Sequence, residues 1–179
     1  PMPYFIFDQT DVLFAGSDLT LKRKFSKNFN SSLTFNYLWS NNLDKNGKLL
    51  NQPPIRIEKN LSLETNNFWK VDLSEISLKP SYTFRQFRAP LTFSPESLIS
   101  GENIITPKTN IFDFKDVPDG YFLLDFSWKL NINDLAVSLF INNILNKKYR
   151  NYLNNMRYFA DEPGRNFIIN LSYTFKKKN

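Results

Sequence analysis

Apolar and polar residues alternate along this chain with a period of two. The pattern is cleanest near the C-terminal end, where residues 166–175 place Phe167, Ile169, Leu171, Tyr173 and Phe175 on one face and Asn166, Ile168, Asn170, Ser172 and Thr174 on the other. Alternation of this kind predicts a β-strand with two unlike faces, because successive strand side chains point to opposite sides. Residues 121–131 divide the same way, with Phe122, Leu124, Phe126, Trp128 and Leu130 against Asp125, Ser127, Lys129 and Asn131. Two further stripes run through Leu33, Phe35, Tyr37 and Trp39, and through Leu135, Val137, Leu139 and Ile141. Weaker strands are expected at residues 18–25, 55–63 and 69–84, with an eighth at 4–7. The apolar parity changes between Leu73 and Ile76, which predicts a bulge or two shorter strands there. Lys59 and Arg23 fall on apolar stripes and fit only if their long stems carry the charge to an interface.

The expected connections alternate in length. Residues 26–30, 65–67 and 132–133 form short turns, whereas 41–54, 86–120 and 145–165 form long loops. Short turns at one end of a meander and long loops at the other are the habit of outer-membrane barrels, whose tilted strands need roughly 9–11 residues to cross. A soluble lipid-binding barrel, with its apolar stripes turned inward, is the alternative from another class.

Composition supports an all-β chain. Its 179 residues are 41% hydrophobic and 16% aromatic, with 23 Asn and only four Ala, so strong helix formers are scarce and strand and turn residues abundant. There is no Cys and no His, which removes disulfides, thiolate nucleophiles, imidazole bases and Cys/His metal sites. No apolar run reaches the length of a membrane-spanning helix. The net charge of +6 is local, since residues 1–146 carry 15 basic and 15 acidic side chains and residues 147–179 carry eight and two. A nucleic-acid interface would spread its cations along a face, so none is expected. The chain opens Pro1-Met2-Pro3, which is read as a mature piece or an excised fragment.

Three segments carry more than pattern. Residues 141–149 read Ile-Asn-Asn-Ile-Leu-Asn-Lys-Lys-Tyr, residues 163–167 read Pro-Gly-Arg-Asn-Phe, and residues 52–56 read Gln-Pro-Pro-Ile-Arg. In order and spacing they resemble the late-strand motifs of TonB-dependent outer-membrane receptors: the penultimate-strand motif, the opening of the last strand, and a Pro-Pro-x-Arg loop before an earlier strand. Leu171-Ser172-Tyr173-Thr174-Phe175 resembles the final strand with its aromatic end, although Lys176, Lys177, Lys178 and Asn179 follow it here. The long form through residues 158–167, with the Asn-rich composition, resembles receptors of Bacteroidetes-type bacteria.

The resemblance implies an antiparallel transmembrane β-barrel, of which residues 1–175 supply about seven or eight C-terminal strands out of 22, with 176–179 a short basic tail and the plug domain outside this chain. It implies bacterial outer-membrane transport of a scarce nutrient, most of all a ferric siderophore or similar iron chelate, and no enzyme activity or cofactor. Its implied partners are TonB, acting through the plug and TonB box, outer-membrane lipid and lipopolysaccharide, the barrel-assembly machinery reading Tyr173 and Phe175, and a small anionic ligand. A self-contained eight-stranded outer-membrane barrel is the nearest alternative.

Among site candidates, Asn143 and Asn146, with Tyr149, Pro163, Gly164 and Arg165, belong to the family motifs and are read as strand-ending and turn-forming residues. The loop 145–165 interleaves Lys147, Lys148, Arg150, Arg157 and Arg165 with aromatic rings, and Arg150, Tyr152, Arg157 and Tyr158 are its ligand-binding candidates by cation and ring contacts. The competing role for its cations is contact with lipopolysaccharide phosphates. Residues 90–118 are Pro-rich and mildly acidic, but Asp113 and Asp116 lack the spacing of a Ca²⁺ loop, and no metal site is expected. The sequons at Asn30, Asn60 and Asn170 are chance products of an Asn-rich chain. Paired carboxylates in a site, a phosphate-binding Gly loop and a nucleophile with its base are all missing.

Overall fold

A computed structural model describes residues 9–44, 47–49, 51–68, 71–89 and 117–175. Seven strands form one antiparallel meander: β1 (Val12–Lys24), β2 (Phe29–Asn42), β3 (Arg56–Phe68), β4 (Val71–Thr83), β5 (Tyr121–Ile132), β6 (Leu135–Asn142) and β7 (Asn166–Tyr173). The stretch at 4–7, expected as an eighth strand, lies outside the described residues, as do residues 90–116.

Residues directly opposite in an antiparallel pair share a face, so the register carries one apolar face across the whole sheet. Leu21 faces Leu33 and Leu19 faces Phe35; Phe35 faces Ile57, and Ile57 faces Tyr82. Tyr82 faces Phe122, Trp128 faces Leu139, and Leu139 faces Ile169. The other face is polar, with Ser32, Glu58, Asn60, Glu75, Ser77, Lys79, Asp125 and Lys129.

The two faces differ in curvature. Along β4, Ser77, Ser81 and Thr83 are 8%, 4% and 7% exposed while the alternating Ile76, Leu78 and Tyr82 are 42%, 36% and 39% exposed. A concavity of about 330 Å³ opens on the polar side. Small polar residues therefore line the inside of the curve and large apolar ones its outside, the reverse of a soluble lipid-binding barrel. Among the described residues the apolar side chains of the sheet stay at least partly exposed, and the buried apolar side chain is Tyr152, in a loop.

Three expectations are corrected. Residues 65–67 are paired strand and not a turn, because Thr65 faces Ser74 and the β3–β4 ladder continues to Phe68 and Val71. The last short turn is 133–134, where Asn133 takes a φ of 52°, a value that suits a tight two-residue hairpin. β4 carries no bulge, since its pairing with β5 runs unbroken from Leu73 and Asn131 to Thr83 and Tyr121. The parity change at Leu73 marks where the apolar band ends: Asp72 turns outward there and accepts a hydrogen bond from the Asn133 N–H at 2.6 Å.

Short connections join β1 to β2, β3 to β4 and β5 to β6, while the long ones, 43–55, 84–120 and 143–165, leave and re-enter the sheet at its opposite end. Along β5 the apolar stripe from Phe122 to Leu130 spans roughly 26 Å of strand, or about 20 Å in height at a tilt near 40°. With the side chains added, that height matches the apolar band of a membrane barrel.

Candidate functional site

The long loop 143–165 is built by asparagines. β6 ends at Asn142, and Asn143 leaves the ladder with a φ of 51°, its N–H donating to the Asp125 carboxylate at 2.8 Å. The Asn143 side-chain amide then closes a ring on Lys147, donating to its carbonyl and accepting from its N–H, both at 2.9 Å. Asn146, with a φ of 50°, donates its N–H to the Asn143 carbonyl and accepts the Arg165 N–H on its Oδ1 at 3.0 Å. Asparagine suits these posts because it tolerates the left-handed region and its amide can copy a backbone group.

The two motifs that bound the loop thus meet. Arg165 Nε donates to the Ile144 carbonyl at 2.8 Å, and a Cβ at Gly164 would stand 2.6 Å from Asn146 Oδ1, so a larger residue there must displace the Asn146 amide. Pro163, exposed beside it, sets the approach of the chain.

Between these ends the loop folds on itself. Tyr149 accepts the Glu162 N–H on its carbonyl, Arg150 Nε pairs with Asp161 Oδ1 at 2.8 Å, and Asn154 Nδ2 donates to Glu162 Oε1 at 2.6 Å. Asn154 also caps the short 3₁₀ helix Asn155–Tyr158 by accepting the Met156 N–H. Arg157 lies over the Tyr152 ring at 5.0 Å, and the two are 5% and 4% exposed.

The four ligand-binding candidates therefore separate. Tyr152 and Arg157 are packed inside the loop, Tyr158 closes the helical turn, and Arg150 lines a crevice of about 240 Å³ with Lys147, Lys148, Tyr149, Tyr121, Asp119 and Asp161. The Tyr149 ring lies tilted against Tyr121 at 4.4 Å between centroids. Tyr121 belongs to the inward face of β5, so the crevice opens at the mouth of the concavity. Burial, reinforced by Tyr121, Glu162 and Asp125 and opposed by Arg56, pushes the Tyr149 phenol above its ordinary value of 10, which keeps it a neutral hydrogen-bonding ring.

Below the crevice the concave face carries a ladder of charge. Glu58 meets Arg56 at 2.8 Å and Lys79 at 3.9 Å, and Glu75 meets Lys129 at 3.0 Å. Periodicity assigns these residues to the polar face but not to one another; pairing them takes the register of β3, β4 and β5. Tyr121 and Asp119 were equally hidden, since only folding brings them to Tyr149 and Arg150. The Pro-Pro-x-Arg segment is held from above by Gln86, buried, whose Nε2 donates to the Gln52 and Pro53 carbonyls at 2.8 and 3.1 Å.

At the opposite end Tyr173 closes β7, and Phe175 follows it with the two rings in an edge-on contact at 4.8 Å. The tail 176–179 lies outside the described residues. No group of three or more acidic residues able to hold a metal ion occurs among the described residues.

Comparison with solved structures places the fold. The chain is similar to the copper transporter OprC, with a TM-score of 0.72 and 18% identity over 93% of this chain and 23% of that one. It is also similar to the ferric yersiniabactin uptake receptor FyuA from Yersinia pestis, with a TM-score of 0.50 and 12% identity over 89% of this chain and 22% of that one. The seven-stranded antiparallel sheet matches a portion of the fold of each of these structures, and the chain spans less than a quarter of the length of either. No family model and no curated protein matches the chain.

Proposed function

We propose that this chain is the C-terminal part of the barrel of a TonB-dependent outer-membrane receptor, and that the whole protein imports a scarce nutrient across the bacterial outer membrane. The observation that carries the reading is the sheet itself. One predominantly apolar face runs over seven strands on the outside of the curve, with long connections at one end and tight turns at the other. Hydrocarbon is the medium that satisfies such a face, and the likeness to receptor barrels over 93% of the chain points the same way.

In this reading the long loops face the cell exterior and the tight turns the periplasm. β1 and β7 each pair on one side only among the described residues, and they continue into the remaining strands of a larger barrel. The plug and TonB box belong to the rest of the protein, where TonB acts. Tyr173 and Phe175, at the periplasmic end of the last strand, are the residues offered to the barrel-assembly machinery.

The cargo we assign is an anionic metal chelate, an iron chelate first of all. The crevice at the mouth of the lumen sets Lys147, Lys148 and Arg150 against Asp119 and Asp161, leaving one net positive charge beside two tyrosine rings in contact, a set that can hold an anionic, ring-bearing ligand by charge and ring contact. The similar structures are a copper transporter and a ferric yersiniabactin receptor, both carriers of metal cargo.

The test is uptake of radiolabelled ferric chelates by cells expressing the full-length protein, with and without functional TonB. The expected result is accumulation that needs both the protein and TonB and falls on replacement of Arg150 by Ala. Accumulation indifferent to TonB, or no metal chelate bound by the purified receptor, would overturn the assignment.

A further inference from the structure

On the outward face of β1–β4 the alternation places three charged residues: Arg23 on β1, Lys59 on β3 and Asp72 at the turn end of β4. The first two form an island with Ser31 of β2. Arg23 is directly opposite Ser31, and Lys59 lies diagonal to Ser31, beside Leu61 which Ser31 faces. Around them the same face is Leu19, Leu21, Phe29, Leu33, Phe35, Ile57, Leu61 and Leu63, and no carboxylate joins the island. Ser31, on the same face between the two, is 8% exposed.

Two cations on a wall that meets hydrocarbon are costly unless their heads leave it or meet an anion. The island lies toward the short-turn end. Arg23 is the penultimate residue of β1 and its guanidinium lies over the Phe25 ring at 4.8 Å, which aims it at that end, and Phe25 and Phe29 add an aromatic pair there at 5.5 Å. Lys59 is level with Leu33, four residues from Phe29, or roughly 13 Å along the strand and about 10 Å in depth at the usual tilt. A lysine stem reaches about 6 Å, so the Lys59 ammonium rises to about 4 Å below the level of Phe29, and a headgroup phosphate drawn in to that depth meets it together with the Arg23 guanidinium.

We propose that Arg23, Ser31 and Lys59 form a binding site for the phosphate of an anionic phospholipid in the periplasmic leaflet. The inference rests on the membrane orientation proposed above. Complementarity of charge selects the occupant: two cations and a hydroxyl donor match a phosphodiester, and a zwitterionic headgroup brings a cation of its own into the same place.

The experiment uses the full-length receptor in bilayers of phosphatidylcholine containing trace spin-labelled phosphatidylglycerol, phosphatidylcholine or lipid A, with the motionally restricted fraction of each read by electron paramagnetic resonance. Phosphatidylglycerol is expected to be enriched at the protein surface over phosphatidylcholine by about fivefold for each cation engaged at low salt. The R23Q/K59Q variant should lose that preference, and R23K/K59R should keep it. Restricted lipid with no headgroup preference, an unchanged preference in R23Q/K59Q, or a stronger preference for lipid A would overturn the site while leaving the membrane reading intact. Absence of any restricted lipid would overturn both.

Discussion

Asparagines decide the shape of the candidate site, and each does so with a single amide. Asn143 is 3% exposed and holds both polar groups of its side chain against the Lys147 backbone, so Asn143→Ala removes both bonds and leaves an alanine at a φ of 51°. The expected cost is about 1–3 kcal/mol, concentrated in the loop and not spread over the sheet. Faster tryptic cleavage after Lys147, Arg150 and Arg157 in folded receptor would register it, and unchanged cleavage would contradict the role. Gly164→Ala should act similarly, because Asn146 Oδ1, held by the Arg165 N–H, stands where the new methyl must go. The two loop arginines should differ. Arg150 lines the crevice, so Arg150→Ala should weaken chelate binding more at low salt than at high, with cleavage after Lys147 and Arg157 unchanged. Arg157 is buried over Tyr152, so Arg157→Ala should loosen the loop, and any loss of binding should be insensitive to salt. Identical salt profiles for the two variants would defeat the distinction.

Strands were the most legible part of the sequence, and their limits the least. Period-two stripes such as Phe122 to Leu130 and Phe167 to Phe175 are written in side-chain chemistry and need no partner to be seen. The ends of β3 and β4 escaped because alternation fades once a strand leaves the apolar band: Thr65 and Asn67 read as turn residues, yet Thr65 is paired with Ser74. The site was legible only as a neighbourhood. Lys147 to Arg150 are contiguous in sequence, but Asp119 and Tyr121 join them through the β4–β5–β6 register. Burial of Tyr152 and Arg157 follows from the fold of the loop, which composition does not encode. On β7 the two faces make a direct prediction. Ile169 faces Leu139 on the apolar side and Asn170 faces Ser138 on the polar side. Ile169→Arg should cost about 2–4 kcal/mol near mid-membrane and reduce the heat-modifiable folded form on gels, whereas Asn170→Arg should be tolerated. Equal folding of the two variants would reverse or void the assignment of faces.

At the scale of the molecule, the sheet is a curved wall with unlike sides and, among the described residues, two open edges at β1 and β7. On the proposed barrel reading these edges have no partner in hydrocarbon, so the 179 residues by themselves should aggregate in detergent while the full-length protein stays monodisperse. Light scattering separates the two outcomes, and a monodisperse, heat-resistant 179-residue monomer would favour a small closed barrel. The wall itself is open to a direct measurement because the chain has no cysteine. Single cysteines placed in turn at positions 122–130 of the full-length protein in lipid bilayers, each spin-labelled, report contact with dissolved oxygen in the membrane and with a water-soluble nickel chelate. Oxygen accessibility should peak at 122, 124, 126, 128 and 130 and nickel accessibility at 123, 125, 127 and 129. Apolar positions shielded from both probes, or oxygen and nickel peaks in the opposite phase, would contradict a lipid-facing barrel wall.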